Sequence, residues 1–424
     1  MREYLKKLPK EILDLLYLAE DIAFQNNMRA YLVGGFVRDL LLGVKNLDLD
    51  IAIEGDGIKF AEELSDRLNS KLIRHRRFGT ATIASRHNLK IDIATARKEF
   101  YPKAAHLPVV SPGTLRDDLF RRDFTINAMS ISIMKEDFGS LIDLFEGRAD
   151  LKHKKIKILH SLSFIDDPTR ILRAIRFEKR YNFRLEPQTL KLLKEAVHLK
   201  MLQQVQPQRI RDELVLLLKE GRALKQIMRL RQLGGFSFIH PRLILSKNNC
   251  LFLKNIQKQV NWFKRSYPQR RYLDAWLVYF LGIVSSLSKP EIKAVSKKFV
   301  FSRGEEKRIL SLKEVGPKFI SSLSRSGLKP SRIYTMLEPL SYELIILLKA
   351  KYAGPNIQKH IAYFFEIYNG MRTLTSGHDL CALGVRPGPC YRKIFSKVLQ
   401  AKLDGMVKTR TDELNLIRDL IKRG

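Results

Sequence analysis

Residues 31–57 read YLVGGFVRDLLLGVKNLDLDIAIEGDG. Tyr31 to Val33 has the apolar, β-favouring character of a short strand. Gly34-Gly35 is a turn, and a helix follows it through Leu42. Leu49 to Ile53 is a second strand. Asp48 and Asp50 stand two apart at the start of that strand, so both carboxylates face one side. Two carboxylates on one face repel unless a cation joins them, which suits Mg²⁺ held by one or two carboxylates and by substrate phosphates. Two such ions can stabilise both the attacking and the leaving oxygens of a phosphoryl transfer. The glycine turn lets backbone N–H groups approach a phosphate at a helix N-terminus, and Arg38 lies one turn further in. A lone Asp-x-Asp or Gly-Gly carries little. The fixed order strand, Gly-Gly, helix, Asp-x-Asp carries much more.

Outward from this stretch, residues 1–150 alternate strand and helix signals. Phe60 to Leu68 reads as helix, and Lys71 to Ile73, Thr80 to Ser85 and Leu89 to Ala94 read as strands. After about residue 155 the strand signals stop. Helix follows helix, punctuated by Pro or Gly near 168, 187, 207, 234, 290, 317, 329 and 355. The basic stretch KRSYPQRR (264–271) and Gly354-Pro355 are candidate junctions. The expected division is a head over 1–150, a helical neck over 151–235, a helical body over 236–355 and a helical tail over 356–424.

Three further segments carry polar residues at telling spacings. In RRDFTINAM (121–129), Asp123 or Thr125 suits the cap of a following helix. Capping leaves Arg121, Arg122 and Asn127 unexplained: planar guanidinium forks suit triphosphate oxygens, and an amide suits a ribose hydroxyl. In DDPTRILRAIRF (166–177), Asp167 before Pro168 starts a helix whose Arg173, Arg176 and Arg180 form a basic stripe. QRIRDEL (208–214) reads as a structural helix.

GGFVRDLLLG followed by DLD resembles the nucleotidyltransferase signature of class II tRNA CCA-adding enzymes and bacterial poly(A) polymerases, in the DNA polymerase β superfamily. The resemblance implies an α+β fold: a β-polymerase-like head with a small mixed sheet, then an all-α neck, body and tail. It implies Asp48 and Asp50 as Mg²⁺ ligands, with Asp92 as the third carboxylate from a later strand. Gly34, Gly35, Arg38, Arg121, Arg122, Asp123 and Asn127 would bind the triphosphate and ribose. DDPTR resembles the family's EDxxR motif, in which an acid and an arginine read the Watson–Crick edge of incoming C or A. Asp167 and Arg170 match that pair, Asp166 stands where Glu is usual, and Arg173 and Arg176 follow. QRIRDEL is similar to the ERIxxEL helix, with Gln208 in place of the first Glu and Glu213 retained. The tail, LTSGHDLCALGVRPGP onward, resembles bacterial CCA-type enzymes, especially the branch containing A-adding forms. The substrates implied are ATP and/or CTP, and the partner is tRNA, gripped at its acceptor end and elbow.

Bulk composition agrees with a polyanionic partner. Lys plus Arg is 77 against 44 Asp plus Glu, a net charge of +33. Candidate RNA contacts are Lys264, Arg265, Arg270, Arg271, Arg386, Arg392 and Lys393. The longest apolar stretch, Trp276 to Val284, is too short to span a bilayer. MREYLKKLPKEILDLL reads as an amphipathic helix rather than a signal peptide. Cys250, Cys381 and Cys390 form no CxxC pair, which points to a reducing cytoplasm and no structural metal. Three other readings stay open: a poly(A) polymerase, an enzyme adding only CC or only A beside a second nucleotidyltransferase, and a non-catalytic RNA-binding protein with a degenerate head.

Overall fold

The computed structural model describes residues 2–6, 8–44, 48–84, 89–268 and 272–422, so Arg270 and Arg271 lie outside the described residues. The chain divides into two compact units, Met1–Gly234 and Gly235–Gly424.

The strands of the first unit are β1 (Arg29–Val33), β2 (Leu49–Glu54), β3 (Lys71–His75), β4 (Thr80–Ala84), β5 (Lys90–Thr95), β6 (Arg97–Phe100), β7 (Val109–Pro112), β8 (Ser130–Ser132) and β9 (Leu141–Ile142). Seven of them form one mixed sheet in the order β3-β4-β5-β2-β1-β8-β9. β2 runs antiparallel to β1 but parallel to β5, and that parallel register sets Asp50 opposite Asp92. The alternate residues Ile51, Ile53, Ile91 and Ile93 are buried, which fixes the register, since a one-residue slip would turn them to the other face.

Helices α1 (Arg2–Leu5) and α2 (Lys10–Gln25) precede the sheet. The single N-terminal helix expected from the sequence is thus two, because Pro9 has no N–H to continue the first and starts the second. α3 (Gly35–Leu41) leaves β1, and α4 (Gly57–Arg67) leaves β2. The Asp56 carboxylate caps α4, accepting from the Ile58 and Lys59 N–H groups, a contribution of about 1 kcal/mol. α4 packs on the sheet through Phe60 and Leu64, each fully buried and each worth about 1.5–3 kcal/mol of apolar transfer.

Two expectations need correction. RRDFTINAM is not followed by a helix: a single 3₁₀ turn, Thr125–Asn127, leads into β8, which pairs with β1. Strand pairing with the sheet overrides the local capping signal. Nor do strands end near 155, since β10 (Lys155–Ile156) pairs in parallel with β11 (Arg184–Leu185). The remaining helices of this unit are α5 (Leu115–Phe120), α6 (Gly147–Lys152), α7 (Ser163–Asp166), α8 (Thr169–Tyr181), α9 (Pro187–His198), α10 (Pro207–Lys219) and α11 (Ala223–Leu233). α8 packs against both α10 and α11.

In the second unit, helices Lys247–Ser266, Ala275–Val284 and Tyr342–Lys351 pack together. Residues 276–284 are all buried, so the apolar stretch is a core helix. Among the described residues no helix is long and apolar enough to cross a membrane. Lys349 is buried with its ammonium 4.5 Å from the Trp262 ring centroid, and burial pushes it down to about 8. The last helices close over Leu380, Val398 and Ile417. There the buried Glu413 accepts from the Leu374 and Thr375 N–H groups and from Lys402.

Candidate active site

The β1–α3 turn begins the site. Gly34 has φ +69°, a region L side chains avoid, and a Cβ there would lie 2.5 Å from Arg122 Nη1. Glycine is therefore needed both for the turn and for the close approach of Arg122. At Gly35 a Cβ would lie 3.9 Å from Asp50 Oδ2. Turn, arginine and carboxylate thus converge within one small volume.

The carboxylates come from adjacent strands. Asp50 and Asp92 are cross-strand partners, and Asp48 is exposed just before β2. Burial, together with the negative charges of Asp92 and Asp48, pushes the Asp50 carboxyl up to about 6, although Arg122 and Lys90 oppose the rise. Asp92 accepts from Thr82 Oγ1 at 2.7 Å and from the Lys90 ammonium at 2.5 Å. Lys90 is held above its usual range, first by that hydrogen bond and then by the three carboxylates around it. Among the described residues no three carboxylate, His or Cys side chains form a ready-made metal cage. The geometry is instead that of two close carboxylates open to exogenous ligands.

A cleft of about 550 Å³ opens from this point. Nine arginines and four carboxylates line it, an excess that calls for a polyanion. Arg122 reaches Asp118 at 2.8 Å, and Arg121 reaches Asp118 at 2.6 Å and Glu99 at 3.2 Å. Burial alone would raise Asp118, but the two guanidiniums outweigh it and hold the carboxyl below its usual range. Asn127 accepts from Arg38 Nη1 at 2.5 Å and donates to Asp123 at 2.8 Å. Arg38 is also paired with Asp39 and sits over the Tyr181 ring, 4.8 Å from its centroid.

α8 supplies the far wall. Asp167 Oδ1 accepts from the Thr169 N–H, the Thr169 hydroxyl and Arg209 Nη2, while Oδ2 has no donor among the described residues. Arg170 is buried, donating to Ser163 Oγ and to the Arg121 carbonyl, each at 2.6 Å. Of the basic stripe, Arg180 is exposed, but Arg173 and Arg176 are drawn into ion pairs. Arg173 bridges Asp123 at 2.8 Å and Glu213 at 3.0 Å, and Arg176 approaches Glu213 and Glu220. Burial raises Asp123 less than Arg173 and the Asn127 amide lower it, so it stays ionised.

The cleft thus gathers Gly34, Gly35, Arg38, Asp50, Arg121, Arg122, Asp123, Asn127, Asp167, Arg170, Arg173 and Arg176. Asp92 lines an adjoining hollow with Asp50, Thr82 and Arg122. Asp166 lies outside the cleft, its carboxylate 3.9 Å from His160 Nδ1, and burial raises it. Lys264, Arg265, Arg386, Arg392 and Lys393 are exposed in the second unit. Sequence reasoning missed Arg97, Glu99, Tyr101, Asp118 and Arg209. The alternation of Arg97, Glu99 and Tyr101 puts all three on one face of β6 and its extension, a signal that was available. Asp118 stands three and four residues before Arg121 and Arg122, the helical pairing distance.

Three of the buried side-chain nitrogens without a protein partner belong to this cleft: Arg122 Nε, Arg176 Nε and Arg209 Nη1. Unmet buried donors are costly, and their concentration in one cleft fits a site completed by an acceptor-rich ligand.

Residues 30–157 match the family described as "Poly A polymerase head domain". Residues 182–245 match "Probable RNA and SrmB- binding site of polymerase A". An A-adding tRNA nucleotidyltransferase of Geobacter sulfurreducens is 36% identical over 97% of this chain, which spans 47% of that relative. An A-adding tRNA nucleotidyltransferase of Halalkalibacterium halodurans is 32% identical, covering 97% of this chain and 93% of the relative. The solved CCA-adding enzyme of Thermotoga maritima, complexed with tRNA, is 33% identical with a TM-score of 0.75, covering 99% of this chain and 97% of that one.

Proposed function

This chain belongs to the tRNA nucleotidyltransferase family, and from that premise we propose that it adds C and/or A from CTP or ATP to the 3′ end of tRNA without a nucleic-acid template. The observation that carries the reading is the cleft itself. Asp50 stands at one end with Asp92 in the adjoining hollow, arginines line its walls, and Asp167, at the start of α8, is held by Arg209 of α10. Residues 1–150 would perform the chemistry, 151–235 read the base, and 236–355 and 356–424 hold the tRNA acceptor end and elbow.

Mg²⁺ fits the donor set: burial first, and then the charges of Asp92 and Asp48, disfavour an ionised Asp50, and a cation bound there would offset both. Asp48 and Asp50 would hold it. When bound, a pair of such ions supplies neutralisation of the triphosphate and a more acidic 3′-hydroxyl. The chain's own residues do the rest. The Gly34-Gly35 turn and Arg122 receive the phosphates. Asn127, fixed between Arg38 and Asp123, meets the ribose. Asp92 stands beside Asp50 to complete the carboxylate set or accept the hydroxyl proton. The 3′-oxygen bonds to the α-phosphorus and pyrophosphate leaves. Asp167 and Arg170 select the base: one is an acceptor, the other a donor, matching the edge of C and A.

A second reading is favoured by one observation. The two curated relatives described above, each aligned over 97% of this chain, are named A-adding, whereas the solved structure is named CCA-adding. On that reading the chain adds the final A, and a second nucleotidyltransferase supplies CC. The test offers tRNAs ending at the discriminator base, at C and at CC, with CTP, ATP or both, and sequences the products. CCA built on the first tRNA establishes full addition. A single A on the CC end alone establishes the division of labour. A long A-tail on any RNA end refutes both. Asp48→Ala with Asp50→Ala abolishes incorporation while tRNA binding persists; retained turnover overturns the site assignment. Cytoplasmic residence is part of the same proposal.

A further inference from the structure

We infer that Arg209, on α10, is a specificity-setting positioning residue: it fixes which oxygen of Asp167 faces the incoming base. The inference rests on the proposed nucleotide selection by Asp167 and extends it to a residue on a different helix. Asp167 follows α7 and precedes α8, a junction where an unrestrained carboxylate would swing about its side-chain bonds. Here it does not. Oδ1 is occupied by the Thr169 N–H at 3.1 Å, the Thr169 hydroxyl at 2.6 Å and Arg209 Nη2 at 2.9 Å. With Oδ1 saturated, Oδ2 is left as the acceptor for a ligand.

Two of those three donors come from Thr169, two residues along the chain, and hold the carboxylate only to its own turn. Arg209 is 42 residues away and ties it to the packed α8–α10 pair. Its other terminal nitrogen, Nη1, is buried without a protein partner, and Arg209 lines the same cleft as Asp167 and Arg170. One guanidinium therefore anchors the reading carboxylate from a different helix.

The chemistry of the bases makes orientation matter. Cytosine and adenine each present an exocyclic amino group, a donor that an acceptor-only oxygen can take. Guanine and uracil present a carbonyl oxygen at the corresponding place on the ring, which an ionised carboxylate repels. Discrimination of this kind depends on the acceptor being held in position. A carboxylate free to rotate can move away from a guanine or uracil carbonyl, and a site whose polar groups can evade an unpaired contact discriminates poorly.

The test uses the full chain with a CC-ending tRNA and measures incorporation of ATP, CTP, GTP and UTP separately. In Arg209→Gln, the ratio of kcat/KM for ATP to that for GTP falls by about tenfold or more, the worth of one well-placed hydrogen bond. GTP or UTP incorporation rises relative to wild type, and tRNA affinity is unchanged. Thr169→Val, which removes a second donor from the same oxygen while leaving Arg209 in place, lowers the ratio in the same direction. Arg209→Lys, with the charge kept and the fork lost, falls between wild type and Arg209→Gln. A uniform loss of activity with the ratio intact in both Arg209→Gln and Thr169→Val makes Arg209 merely structural and overturns the inference. If the wild-type chain itself does not discriminate between nucleotides, the proposed base selection falls first and takes this inference with it.

Discussion

Replacing Asp50 by Asn separates stability from activity in opposite directions. Burial, with Asp92 and Asp48 adding to it, pushes the Asp50 carboxyl in the folded head up to about 6 from its ordinary 3.8. Between those values the folded state holds a proton that the unfolded chain has lost. Ionisation therefore burdens the fold above about pH 6, and the burden disappears below about pH 4. That rise corresponds to about 3 kcal/mol. The asparagine is nearly isosteric and carries no charge, so ligand-free Asp50→Asn is more stable than the wild type at about pH 7.5 by up to that amount. The gain shrinks through the window from 6 to 4. Both tryptophans lie in the second unit, so the assay is far-UV circular dichroism in urea rather than tryptophan fluorescence. Saturating Mg²⁺ and ATP invert the order, because the wild type gains a ligand the variant holds poorly. Two results refute the reasoning: a variant less stable than wild type near neutrality, or a gain of equal size at both ends of the pH window.

Gly34→Ala places a Cβ 2.5 Å from Arg122 Nη1 at φ +69°, costing about 1–2 kcal/mol of backbone strain and moving the arginine. Steady-state kinetics then give a KM for ATP that rises more than kcat falls; an unchanged KM removes Arg122 from phosphate binding. Glu213→Gln leaves Arg173 and Arg176 without their shared carboxylate charge and costs about 1–2 kcal/mol in urea denaturation, the scale of charge-assisted hydrogen bonds in a half-buried network. A loss below the error of the assay places that network on the surface energetically.

The order β1, Gly34-Gly35, α3, Asp48, Asp50 was legible because each part has a local cause: alternation, a turn that excludes a Cβ, a helical period, a second strand. The strand readings over 71–94 succeeded for the same reason, since β-branched residues alternate there. What could not be read was whatever depends on a partner far along the chain. β8 pairs with β1 across about a hundred residues, and nothing within RRDFTINAM announces it. Arg173 meets Asp123 from 50 positions away, and Arg209 meets Asp167 from 42. For this reason the α8 stripe resembled a solvated face in sequence, whereas α10 and the head supply carboxylates that draw Arg173 and Arg176 into ion pairs. Asp166 shows the converse. Adjacency to Asp167 suggested a shared role, but α7 ends between them, and the two carboxylates point to different surroundings.

The cleft's arginines divide by what holds them, and the division bears on how a protein replaces a template. Arg38, Arg121, Arg170 and Arg173 have their forks committed to Asp39, Asp118, Ser163, Asp123 or Glu213. Arg122, Arg176 and Arg209 each retain a buried nitrogen with no protein acceptor. The committed set forms a frame that is rigid before any ligand arrives, so little ordering entropy is lost when a nucleotide enters. The base-reading pair belongs to that frame, with Asp167 held by three hydrogen bonds and Arg170 by two. A pair so fixed cannot re-aim itself between a pyrimidine and a purine. On the proposed reading, the choice between C and A is therefore set by where the RNA end lies relative to the frame, and variants of the frame alter which bases are refused before they alter the order in which C and A are added.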